Sequence, residues 1–471
     1  GATLVAPVPV LAIEPAAPAD KGAGKTPDEA PLEVRVRGER PPREVTKHSM
    51  SRQEMFQSPG TNGDALRSLQ NLPGIARPPP FSGQLVVRGS APNDTQFFVD
   101  GTNVPIVYHF GGLSSVVPTE ALDKIDFYPG NFGTQFGRGM GGIIDIGLRN
   151  PNADGKWHAM FQLDSIDVRT LVERSLGGGW SFFAGGRRSY FDAWIKLLAP
   201  SGITTAPKYY DYQVMVRKEF SPDHDLRFVF FGSDDSFALF GSGNGGGNFA
   251  LGGNLSAAIS FWRAQARYQN KLTSSTRLSA VIATGQDRVQ FGFGEDYADI
   301  KTMPVSGRLE ISQRIARFLT ANAGMDILTT PYEVTVRFPR PEKPGVPGGG
   351  VGSPPLIAKN DDNLYTPGAY LELEVVPKAG TRLVPGIRAD YTNQTGDWTY
   401  SPRIAARQDL NRESGRRTTA KGGIGYFYQP PSPFELDPIF GQGRTLISNR
   451  SAHISAGIEQ ELGAHAELSV E

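Results

Sequence analysis

Leu85-Val86-Val87-Arg88-Gly89, Phe97-Phe98-Val99-Asp100-Gly101 and Leu122-Asp123-Lys124-Ile125-Asp126-Phe127-Tyr128-Pro129-Gly130 are the phrases whose reading decides the fold of this chain. Leu72-Pro73-Gly74-Ile75 precedes them, and Gln135-Phe136-Gly137-Arg138 leads on to Met140-Gly141-Gly142-Ile143-Ile144-Asp145-Ile146. Short β-rich runs (85–87, 97–99, 125–128, 143–146) thus alternate with glycine turns. Asp-Gly between apolar runs is a hairpin signal, because the favoured two-residue turn needs positive φ at both positions. Pro129-Gly130 and Gly141-Gly142 mark points where the backbone turns sharply or takes positive φ. Upstream, the pattern reads as helical from Met50 onward, and Asp64-Ala65-Leu66-Arg67-Ser68-Leu69 is expected to be a helix ending at Pro73-Gly74. On the residues alone this is a small, turn-rich α+β domain.

The order and spacing of these phrases resemble the plug domain of TonB-dependent outer-membrane receptors. Two places depart from the family pattern: Asp145 stands where the family often has Asn, and Tyr108-His109-Phe110 lies in a loop that varies. The resemblance implies a mainly β fold, with an α+β plug inside an antiparallel transmembrane barrel of 22 strands. Its plug-motif positions are Arg88, Gly89, Asp100, Gly101, Pro129, Gly130, Arg138, Gly141 and Gly142. The implied function is import of a scarce ligand, such as a siderophore, vitamin, sugar or peptide. The implied partners are outer-membrane lipid and a TonB-type energy transducer in the inner membrane. A signalling receptor or adhesin whose plug does not open is the alternative.

Composition narrows the classes. The 56 glycines and 37 prolines imply many turns, and without cysteine neither disulfides nor thiolate metal sites can form. Lys+Arg and Asp+Glu balance at 48 each, so no bulk field favours nucleic acid. No apolar run approaches the roughly 18 residues of a transmembrane helix, whereas a membrane β-strand needs only about ten alternating residues. The six histidines are scattered without His-Glu-x-x-His spacing. Gly137-Arg138-Gly139-Met140-Gly141-Gly142 lacks the Gly-Lys-Ser/Thr ending of a phosphate loop. Neither enzyme activity, a cofactor nor a metal site is expected.

Four regions follow. Residues 1–31, rich in Ala and Pro, read as a flexible linker. Residues 32–48 contain Leu32, Glu33, Val34, Arg35 and Val36, which alternate apolar and charged side chains. By the resemblance they are a TonB-box-like segment that binds the transducer as an added strand; a Val- and Arg-rich linker gives the same pattern. Residues 49–152 are the plug and 153–471 the barrel. The chain opens on Gly1 without a Met or a basic segment followed by an apolar one, so the expectation is that a signal peptide was removed or that the chain begins downstream of something else, such as a fused periplasmic domain.

After Pro151 the periodicity becomes two. Trp262 to Tyr268, Tyr332 to Phe338 and Ala369 to Val375 each alternate apolar with polar residues. The expectation is that Trp262, Val334 and Leu373 face lipid, with Arg263, Glu333 and Glu372 in the lumen. Connections alternate between short (177–179, 221–225, 272–275, 377–380, 462–465) and long (189–210, 235–256, 339–362, 429–451), with shorter outer ones near Gly292 and Gln394. This is the asymmetry of an up-and-down membrane barrel, and it gives about fifteen strands. An odd number cannot close as this family does, so the chain is expected to lack about seven strands. The ligand floor is expected at 105–112, with Tyr108, His109 and Phe110 as its contacts and the loops 235–256 and 339–362 as its walls.

Overall fold

The computed structural model describes residues 47–58, 61, 64–76, 85–109, 112, 114–190, 208–239, 255–338, 355–411, 416–436, 446–463 and 466–471. Strand β1 (His48–Ser51) ends on Ser51, which caps α1 (Arg52–Gln57) through a capping box with Glu54. Met50 lies in β1 because that strand pairs it with Ile125. Asp64 accepts from the Leu66 amide at 3.0 Å and starts Ala65–Asn71, a 3-10 helix rather than the longer helix expected from Met50. Residues three apart eclipse in a 3-10 helix, so Leu66 and Leu69 bury together on one side.

The short strands β2 (Ile75–Ala76) and β3 (Val86–Val87) pair with each other. Then β4 (Gln96–Val99), β5 (Thr102–Val104), β6 (Leu122–Tyr128) and β7 (Ile143–Leu148) join β1 in a sheet of order β1-β6-β7-β4-β5. Asp100 and Gly101 form the β4–β5 hairpin with φ of 49° and 88°, the two positive values its turn type requires. The sharp turn after Pro129 carries its positive φ on Asn131 rather than on Gly130. Gly141 is a close approach instead, since a Cβ there would lie 2.8 Å from the Asp94 backbone.

The second sheet is the wall. Its first strands are β8 (His158–Leu163), β9 (Asp167–Gly177), β10 (Trp180–Ser189), β11 (Lys208–Ser221), β12 (His224–Leu239), β13 (Leu255–Asn270) and β14 (Thr276–Phe293). It continues with β15 (Asp296–Thr302), β16 (Val305–Ala316), β17 (Leu319–Phe338), β18 (Leu356–Val375), β19 (Thr381–Thr392) and β20 (Asp397–Asn411). β21 (Thr418–Gln429), β22 (Asn449–Gly463) and β23 (Ala466–Val470) complete it. All neighbours are antiparallel in sequence order, except that β15 and β16 share one rank between β14 and β17. The sixteen strands are therefore fifteen ranks wide. Met303-Pro304 splits that rank because proline has no N–H to donate to the ladder; Met303 and the Pro304 carbonyl still bond across it at 2.8 and 3.0 Å.

Polarity along the wall is inverted relative to a water-soluble sheet. On β9 and β11 the buried inward series is Arg169, Leu171, Glu173 and Asp211, Gln213, Met215, while Val172 and Val214 point out and are exposed. Phe161, Phe228, Phe230, Ile282, Met325 and Ile327 continue the exposed apolar face, which only a lipid solvent stabilises. No helix among the described residues is long and apolar enough to cross a membrane. Ile282 is 61% exposed on this face, so Ile282→Arg should lower the urea stability of the bilayer-embedded protein by about 2–4 kcal/mol if near the midplane. An unchanged transition would show that this face does not meet lipid.

The faces of Trp262, Arg263, Leu373 and Glu372 follow the sequence expectation, since Arg263 and Glu372 bond plug atoms. Val334 and Glu333 reverse it. Alternation from the inward Asp326 puts Val334 on the inner face, fully buried with Tyr332 and Val336, while Glu333 points out and pairs with Lys359 at 2.7 Å. The physical reason is length: β17 has 20 residues, about twice what a tilted strand needs to cross a bilayer. Beyond the bilayer the outer face meets water again, and charged side chains belong there.

Candidate functional site

Polar side chains that plug turns place against the inward polar series tie the plug to the wall. Asp100 is the first anchor. Its carboxylate accepts from the Leu148 amide at 3.1 Å and from Arg267 and Arg227 of β13 and β12, each at 3.2 Å. Its carbonyl accepts from Gln265 at 3.0 Å. The hairpin that fixes the turn therefore also ties it to the wall.

Arg138, at φ 58°, is the second anchor. Its guanidinium donates to Asp326 at 2.9 Å, to Asp390 at 3.3 Å and to the Thr366 carbonyl at 3.0 Å. Arg388 of β19 lies beside it, fully buried, donating to Asp390 at 2.7 Å, to Asp326 at 2.8 Å and to the Thr134 carbonyl at 3.3 Å. A Cβ at Gly137 would overlap that guanidinium, so the glycine is a packing requirement and not part of a phosphate loop. Thr134 completes the contact, its amide donating to Glu372 at 3.0 Å.

The loop after Pro129 is held by β20 to β22. Arg403 donates to the carbonyls of Phe132, Gly133 and Phe136 at 3.0, 2.7 and 2.9 Å and lies 4.3 Å from the Phe427 ring centroid. The Asn131 amide donates to His453 Nδ1 at 3.2 Å, so the proton of a neutral ring sits on Nε2, which donates to the Met140 carbonyl at 2.9 Å. On the remaining motif turn, Arg88 reaches Glu471 at 2.9 Å, next to Gly89.

Tyr108 and His109, expected as ligand contacts, are both buried. The Tyr108 hydroxyl donates to the Leu66 carbonyl at 2.7 Å inside the plug core. His109 is wholly buried against the wall, with Asp235 Oδ1 2.7 Å from Nδ1, Asp211 Oδ2 3.1 Å from Nε2, and the Tyr209 ring stacked at 4.0 Å. Arg187 closes the cluster, donating to Asp211 at 2.6 Å and to Ser114 and Ser115 of the plug. Burial pushes the His109 pKa down, but the Asp235 charge and hydrogen bonds to Asp211 and Asp235 outweigh it and leave it raised. Phe110, the segment Leu32, Glu33, Val34, Arg35 and Val36, and residues 240–254 and 339–354 lie outside the described residues.

The wall residues Arg187, Asp211, Asp235, Asp326, Arg388 and Arg403 were not singled out by sequence reasoning. Their signal is a charge on the polar face of an alternating run, which does not separate them from the other charged residues of those runs. Among the described residues no group of His, Asp and Glu has the geometry to hold a metal ion.

A turn-rich α+β domain tied to the inner face of an antiparallel wall whose outer face is apolar is a plugged membrane β-barrel. Residues 41–143 match the TonB-dependent Receptor Plug Domain family. The fold is similar to that of the ferric enterobactin receptor of Pseudomonas aeruginosa, with a TM-score of 0.63 at 17% identity over 88% of this chain and 69% of that one. It is likewise similar to a siderophore receptor of Acinetobacter baumannii (TM-score 0.65, 14% identity, 90% and 69% covered). A copper transporter gives a TM-score of 0.64 at 14% identity, with 89% and 70% covered. No curated protein sequence matches the chain. Residues 41–143 are thus a TonB-dependent receptor plug domain, and the fold of the chain is that of the plugged outer-membrane β-barrels it resembles.

Proposed function

We propose that the protein imports a scarce ligand across the outer membrane, drawing on a TonB-type transducer that engages Leu32 to Val36 by strand addition. The observation that carries this reading is the chemistry of the plug's attachment. Asp100, Arg138, Thr134 and His109 tie it to the wall through charged and polar pairs that water can replace on release, beside an apolar contact over β9 to β13. The relatives' ligands, ferric siderophores and copper, make a chelated or free transition metal the first class to try.

Uptake of ferric enterobactin and of copper by cells expressing the protein, with and without the transducer, tests the reading. Uptake should require the transducer, and Val34→Pro should abolish it while surface binding persists, because proline removes a strand hydrogen-bond donor and fixes φ. Binding without uptake in every strain would instead make this a signalling receptor or adhesin.

A further inference from the structure

The plug meets the wall unevenly. Over β9 to β13 its apolar core is continuous with the wall, through Leu171, Phe183, Met215, Val229, Phe231 and Phe261. Over β14 to β18 no described wall residue belongs to that cluster, and two cavities lie between plug and wall instead. One, of about 280 Å³, separates Gly101, Lys124, Gln135 and Asp145 of the plug from Arg267, Ser279 and Glu310 of the wall. The other, of about 160 Å³, separates Gln96, Asn103 and Gly137 from Ser306, Leu328 and Thr366.

Strand register stacks the two along the barrel axis. Glu310 pairs with Gly324 and Arg308 with Asp326, whereas Leu328 pairs with Thr366 further toward the long-connection end. Gly101, Val281 and Arg308 line both cavities, which puts Arg308 at the waist between them. Its guanidinium lies 5.9 Å from the Phe98 ring centroid and 5.8 Å from that of Phe136, and its Nε, without a hydrogen-bond partner, is 3.9 Å from Asp326. Arg138 and Arg388 hold Asp326 Oδ1 at 2.9 and 2.8 Å, whereas Arg308 approaches only Oδ2 without hydrogen-bonding it, so swinging Arg308 away breaks no hydrogen bond and leaves the charge of Asp326 paired.

We infer that this seam along β14 to β18 is the path a solute takes past the plug, and that Arg308 is its gate, favouring small solutes that carry negative charge. The inference rests on the transporter reading, but its test needs neither transducer nor physiological ligand. The chain has no cysteine, so single cysteines report cleanly. In purified receptor, the Ser279→Cys and Ser306→Cys variants should react with the anionic sulfonatoethyl methanethiosulfonate on the order of tenfold faster than Met215→Cys on the apolar side, where labelling needs local opening. The cationic trimethylammonium reagent should show a smaller difference.

In planar bilayers, Arg308→Ala should raise the basal chloride conductance and weaken the preference for chloride over potassium, while Arg308→Lys keeps both near the starting protein. Folding of each variant is checked by heat-modifiable mobility. Equal labelling of the three cysteines, or an Arg308→Ala protein that is folded and no leakier, overturns the seam and leaves the importer reading intact. Should Arg308→Ala fail to fold, the cysteine comparison decides alone. Transducer-independent binding without uptake overturns the importer reading whatever the seam variants show.

Discussion

Replacing Arg388 by alanine should destabilise the plugged receptor by about 3–5 kcal/mol, the cost of removing one partner from a buried ion cluster. The side chain is fully buried, and it neutralises Asp326 and Asp390 together while also reaching the Thr134 carbonyl of the plug. Without it the two carboxylates share Arg138, at 2.9 and 3.3 Å, and the space beside Gly137 is empty. Lysine should not rescue the variant, because an ammonium cannot present a planar fork to two acids at once. The measurement is the urea or thermal midpoint of purified protein in bilayers. A midpoint within error of the starting protein would mean that Arg138 suffices and that the cluster is redundant.

The stability of the plug should fall as pH rises, and His109→Gln should remove the His109 share of that dependence. Each imidazole nitrogen faces a carboxylate, at 2.7 and 3.1 Å, and only the doubly protonated ring can donate to both. Although burial opposes the charge, Asp235 and Asp211 raise the folded pKa above the usual 6.5. A group whose folded pKa is raised stabilises fully below its unfolded pKa and loses that contribution as pH rises through the folded one. The groups facing the ring are Asp211 and Tyr209 from β11, Asp235 and Ser233 from β12 and Arg187 from β10, with Asp167 of β9 bonding Tyr209. His109→Gln should therefore cost about 3–5 kcal/mol on the acid side and progressively less at alkaline pH. Asp145, pushed up to about 6 by burial and by Asp126, adds a slope of its own, so the difference between the two proteins isolates His109. Parallel pH profiles for the two proteins would show that the ring stays neutral and that one of its two contacts is not a hydrogen bond.

Particular residues show how much was legible beforehand. Asp100-Gly101 could be read as a hairpin because the turn's φ values depend on those two residues alone, and the structure has them at 49° and 88°. That Asp100 also grips Arg227 and Arg267 could not be read, since the three meet only once β12 and β13 stand beside the turn. The triplet Tyr108-His109-Phe110 reads as a recognition surface because it brings two aromatic rings and an imidazole together between glycine turns, yet Tyr108 and His109 are buried. The burial of His109 follows from Asp211 and Asp235, whose sequence separations from it are 102 and 126 residues.

By itself the sequence determined the local geometry and the class of protein: turn positions, two-residue alternation, the succession of short and long connections, and the plug phrases ahead of them. These depend on neighbours along the chain, whose preferred φ and ψ and alternating side-chain directions hold whatever the rest of the protein does. Only the tertiary structure decided which face of a strand meets which solvent, and which charge meets which. Val334 turned inward because the phase of β17 is fixed by Asp326 against Arg138 and because the strand outruns the bilayer. Arg388 found Asp326 through the register of three strands at once. Strand register is a cooperative property of pairing between distant segments, and a one-residue slip would send every one of these side chains to the opposite face.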